Sequence, residues 1–140
     1  MAETLTTPDV VDLVRSLLEA RLPSMPAAWA VGVHRAVPAP RPPRFVTVRL
    51  TSGAGRTAAN PVIDQAQVTV EAWGDKPEVA HDLAQDARAA VHAAQCAVLG
   101  DIQVYRVQDG GPPVDLPDPL SDQHRCTFTV SLTVRTRRSP

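Results

Sequence analysis

His124-Arg-Cys-Thr-Phe-Thr-Val-Ser-Leu-Thr-Val-Arg135 alternates along its whole length. In an extended chain Cys126, Phe128, Val130, Leu132 and Val134 fall on one face, and Thr127, Thr129, Ser131, Thr133 and Arg135 on the other. A long strand with one apolar face and one Thr-lined face belongs to a sheet that is covered on one side. The same two-residue period runs through 64–73, where Ala66, Val68, Val70 and Ala72 oppose Gln65, Gln67, Thr69 and Glu71. It recurs over 44–50, with Val46, Val48 and Leu50 opposite Thr47 and Arg49. Two shorter runs, 30–37 and 102–108, bring the expected sheet to about five strands.

Two stretches carry the helical period instead. Val10, Leu13, Val14, Leu17, Leu18 and Leu22 follow Thr7-Pro8-Asp9. Thr7 is expected to cap this helix, Pro8 to take its first position and Asp9 to face its positive end. Pro23 and Pro26 stop it. A second helix starts at Gly74-Asp75-Lys76-Pro77-Glu78, with Asp75 read as N-cap and Glu78 as its capping-box partner. Val79, Ala80, Leu83, Ala84, Ala87, Val91 and Ala94 then line one face. The expected fold is α+β: a single domain over 1–140, with a mainly antiparallel or mixed sheet and helices 8–22 and 77–94 on one of its faces. The segments between are a stiff proline run at 38–43, a Gly-containing loop at 51–61 read as mobile, an acidic, proline-rich loop at 109–122 and a basic tail at 136–140 read as frayed.

The chain has 140 residues, 14 Lys plus Arg and 15 Asp plus Glu, for a net charge of −1. That balance argues against a dedicated nucleic-acid binder or a polybasic membrane-surface protein. Met1-Ala-Glu-Thr4 has neither the basic flank nor the apolar stretch of a secretory signal, and no apolar run reaches a membrane span. Cys96 and Cys126 form no metal-ligand spacing and read as reduced core thiols. His81 and His92 share a helix but stand about 16 Å apart along it, too far to grip one metal; His34 and His124 could share one only on neighbouring strands. Gly53-Ala-Gly55 leads into a strand rather than a helix N-terminus, so it builds no phosphate cradle. No Ser sits in a nucleophile elbow. No catalytic residue, metal or cofactor is therefore expected. Long loops and a polar sheet face point to holding other proteins. The candidate contact residues are Arg44, Arg49, Arg56, Arg135 and an exposed Trp73, with Asp115 and Asp118 as acidic partners.

Several stretches resemble the tail terminator proteins of long-tailed actinobacterial bacteriophages. They are Pro8-Asp-Val-Val-Asp-Leu13, Pro40-Arg-Pro-Pro-Arg-Phe-Val-Thr-Val-Arg49, Val68-Thr-Val-Glu-Ala-Trp-Gly74, the Ala-rich helix from Pro77, Gly110-Gly-Pro-Pro-Val-Asp-Leu-Pro-Asp-Pro119 and Phe128-Thr-Val-Ser-Leu-Thr-Val-Arg135. The resemblance lies in their order and covers nearly the whole chain. It implies a non-enzymatic virion protein without cofactor, assembled in the host cytoplasm as a ring of six copies. Such a ring caps the tail tube at its final length and docks the head-completion protein, while DNA passes through its lumen without sequence-specific contact. Two alternatives stand beside it: another head–tail connector component, or a small ligand-binding or hydrolytic α+β domain with a pocket under 51–61.

Overall fold

The computed structural model describes residues 4–53, 55–56 and 60–139, without the side chains of 138 and 139. In chain order the elements are β1 (Thr4–Thr6), α1 (Val10–Arg21) with a 3-10 turn over Leu22–Ser24, β2 (Gly32–His34), β3 (Phe45–Ser52), β4 (Ile63–Gly74), α2 (Pro77–His92), β5 (Val98–Leu99), β6 (Ile102–Asp109), β7 (Val114–Asp115), β8 (His124–Arg135) and β9 (Arg137–Ser139). The main sheet runs β2-β3-β4-β8-β6-β5, with β7 also paired to β8, and β1 and β9 form a separate ribbon. Seven strands, rather than about five, make the main sheet. It is mixed because β2 lies parallel to β3 while the other pairs are antiparallel.

The long alternating segments become the sheet centre. β4 and β8 pair from Ile63 opposite Arg135 to Gly74 opposite His124. This register puts Val70 opposite Phe128 and Val68 opposite Val130 on the apolar face. Both helices cover that face. Val10, Val11, Val14 and Leu18 of α1 and Leu83, Ala84, Ala87 and Val91 of α2 share one core with Val46, Val48, Val68, Val70, Phe128 and Leu132. Each large apolar side chain buried there contributes about 1.5–3 kcal/mol. Ala80, Ala84, Ala87 and Ala90 of α2 are all buried, so short side chains make much of its contact with the sheet.

Local details depart from expectation where another partner wins. Asp9, not Thr7, caps α1, its side chain accepting from the Asp12 N–H. Pro8 stands outside the helix, and the Thr7 hydroxyl donates to Asp64 instead. Lys76 occupies the cap position of α2 without a side-chain hydrogen bond. Asp75 faces Arg44 at 3.5 Å, so no capping box forms. Leu50 is 60% exposed, because β3 is irregular between Leu50 and Ser52 and loses the inward alternation. Segment 109–122 contains β7. Gly110 marks the turn out of β6: its N–H donates to the Thr129 carbonyl, and a Cβ there would lie 2.5 Å from that oxygen. Residues 137–139 pair with β1 rather than fray, and buried Thr136 donates its N–H and hydroxyl to the Val62 carbonyl. Thr51 and Ser52 belong to β3. The expected mobility of 51–61 rests on its Gly-containing tip, of which 54 and 57–59 lie outside the described residues.

Candidate functional site

Alternation sends Phe45, Thr47 and Arg49 of β3, Trp73 and Glu71 of β4, and Arg125 of β8 to the sheet face away from the helices. The registers bring them together: Phe45 and Arg125 flank Trp73, and Thr47 lies opposite Glu71. Trp73 is only 2% exposed. It is therefore no exposed anchor, as the sequence had led us to expect. Its ring stacks on Phe45 at 5.2 Å, its indole N–H donates to the Thr47 hydroxyl at 3.2 Å, and the Arg41 and Arg125 guanidiniums lie 5.4 and 5.0 Å from its centroid. The indole is covered because two loops roof this end of the sheet.

The roof is tied by polar side chains. Arg41, in the proline run, pairs with Asp118 at 2.8 Å and also reaches the Ser121 hydroxyl. The Ser121 hydroxyl donates to Asp118, as does the Leu120 N–H. These two donors and the Arg41 cation push the Asp118 carboxyl down to about 2. Gln123 donates to the Pro42 carbonyl at 2.8 Å, and Arg125 donates to the Leu116 carbonyl at 3.0 Å.

Under the roof Glu71 is only 6% exposed. Each of its oxygens faces an arginine: Oε1 lies 3.2 Å from Arg49 Nε, and Oε2 lies 3.1 Å from Arg125 Nη1. A buried carboxylate is costly unless paired, and this one is paired twice. The open side forms a cleft of about 350 Å³. Its walls carry Arg35, Arg41, Arg49 and Arg125 against Glu71 and Asp118, so cations outnumber carboxylates four to two. The chemistry available is recognition: a planar guanidinium fork takes a carboxylate or phosphate with paired hydrogen bonds.

The candidate residues read from the sequence do not form one cluster. Arg49 and Asp118 line the cleft and Trp73 is its floor. Asp118 is already held by Arg41 within the chain, so it is not free for a neighbouring subunit. Arg44 pairs with Asp75 at the start of β3. Asp115 is exposed on β7. Arg56 and Arg135 sit at the far end of the sheet, where Arg56 donates to the Leu5 carbonyl of β1. Sequence reading missed Arg41, Glu71 and Arg125. Their signal was present in the alternation, which groups Glu71 with Trp73, but the roof that buries both comes from distant segments.

Other titratable groups are dispersed. β3 and β4 separate the strands of His34 and His124, so those histidines are not neighbours. Among the described residues no group of three His, Cys, Asp or Glu could hold a metal ion. Cys126 is buried, whereas Cys96 is exposed rather than a core thiol. No helix of the described residues is long and apolar enough to cross a membrane. A second cleft, of about 410 Å³, lies between α1 and the β5 turn, with Leu13, Leu17, Val98 and Leu99 in its lining.

No family model matches the chain, and no curated protein matches it. A solved structure is similar over 92% of this chain and 96% of its own, at 18% identity and a TM-score of 0.41.

Proposed function

We propose that this protein is a ring-forming structural component of a phage tail, a tail terminator that caps the tube and presents a surface to the head-completion protein. The observation that supports the reading is that one small domain carries two unlike surface clefts on different sides. One is the arginine-lined cleft on the outer sheet face; the other is the apolar groove between α1 and β5. Unlike surfaces let one copy meet different partners at once, a ring neighbour through one and the tube or head protein through the other. The sequence resemblance to tail terminators, spread in order along the chain, supplies the particular assembly. The stiff, tied loops favour docking because little conformational freedom remains to be lost.

The test is a tube polymerisation reaction with purified tail tube protein, read by electron microscopy. Adding this protein should stop growth and leave rings at tube ends. Tubes that grow to the same length with and without it, with bare ends, overturn the proposal.

A further inference from the structure

The arginine cleft has more cation than the described residues satisfy. Arg49 is exposed, makes its single ion pair through Nε, and forms no hydrogen bond among the described residues. Its two amino groups meet no acceptor among the described residues. Arg35, on the same cleft, spends Nη1 on Asp9 and is otherwise exposed. The cleft is thus half of an ionic contact, with its own carboxylates already committed to Arg41, Arg49 and Arg125.

Carboxylates without an ion pair or hydrogen bond among the described residues are Glu78, Asp82, Asp115 and Asp122. Asp115 and Asp122 flank the roof of the cleft itself. A contact that used them would place roof against roof, a self-complementary pairing that stops at two copies. Glu78 and Asp82 are different. They are exposed, four residues apart on α2, and lie on the helix side of the sheet while the cleft lies on the opposite side. One helical turn separates them by about 6 Å along the axis, so they present two carboxylates on one face.

We infer that the arginine cleft of one copy receives the Glu78–Asp82 turn of α2 from the next copy, Arg49 and Arg35 pairing with the two carboxylates. The contact is head-to-tail, each copy using its helix face toward one neighbour and its outer sheet face toward the other. This inference rests on the ring reading above and names the surfaces that meet in it.

The experiment uses two charge-reversed chains, R49E and the double variant E78R/D82R, in sedimentation velocity beside the wild type. Thermal melts check that both variants fold. The helix variant changes only exposed positions, so it keeps the test valid if R49E disturbs Glu71. Wild-type protein should assemble with increasing concentration and dissociate with salt, because the contact is ionic. Each variant alone should lose all species above the monomer. Mixed one to one, each retains the half the other lacks. In the mixture the unlike chains carry opposite charges across both contacts, so species above the monomer should return. Variants that assemble like the wild type, a mixture that stays monomeric, or loss of assembly on reversing Asp115 and Asp122 instead, each overturn the inference. The tube reaction judges the two proposals separately. Tubes capped equally by wild type and E78R/D82R leave the terminator reading standing without this contact. Assembly through the cleft with no effect on tubes leaves the contact standing without the terminator.

Discussion

Glu71 shows how one residue changes meaning with its surroundings. In the sequence it is an outward carboxylate on an alternating strand. In the fold it is a covered anion between Arg49 and Arg125, beside a stacked Trp73. Alternation predicts the face of a side chain, and it did so for Trp73, Glu71 and Thr47. It carries no information on whether that face meets water, because the roofing contact joins Arg41 to Asp118, 77 positions apart. Replacing Glu71 with Gln removes the charge that both guanidiniums face and should lower unfolding free energy by about 1–3 kcal/mol in urea titrations. Asp109 gives a pH signature. Its carboxyl is lowered from 3.8 to about 2, first by the hydrogen bond from Arg88, then by His92 and the Gly111 N–H. A group depressed on folding stabilises the protein above its unfolded value and loses that contribution as pH falls toward the folded one. The melting-temperature gap between wild type and D109N should therefore be full above pH 4 and close as pH approaches 2. The two thiols should also separate. Burial, and then the negative charge of Asp115, raise the Cys126 thiol, while Cys96 is exposed. A chromogenic disulfide should label one thiol in the native protein and the second only after denaturation.

Among the elements, periodicity located the centres of the long strands and both helices well, because burial on one face enforces it. The ends were read less well. Thr7, Asp9, Asp75 and Lys76 all stood near a helix start, and which one caps was decided by competing partners, Asp64 for Thr7 and Arg44 for Asp75. The proline run 38–43 and the segment 109–122 read as loops because of their prolines, while 35–37 read as the end of a strand, whereas β2 stops at His34. In the fold 35–43 and 116–123 act as one tied unit through Asp118, which Arg41, Ser121 and the Leu120 N–H all address. Replacing Asp118 with Ala should release this unit without opening the helix-covered core. Hydrogen exchange should rise across 35–43 and 116–123 and stay unchanged in β4 and α2.

Across the whole molecule, strand content was legible and strand order was not. Nothing local says that β8 lies between β4 and β6, or that residues 137–139 meet 4–6, since those pairings depend on which apolar faces meet after collapse. The terminal ribbon has a measurable role: Thr136 is buried against the Val62 carbonyl and β9 pairs with β1. Ending the chain after Arg135 should lower stability by about 1–2 kcal/mol, the worth of a few hydrogen bonds, rather than leave melting unchanged as removal of a frayed tail would. The central position of β8 also governs the order in which the fold can form. β4 finds its longest partner about sixty residues later, Thr69 meeting Thr129 across 60 positions. During synthesis α1, β3, β4 and α2 all emerge before the strand that completes the floor of their core. Until residue 135 clears the ribosome, the edge of β4 that pairs with β8 stands open, so the nascent chain depends on a late, long-range closure, the slow kind of contact to form.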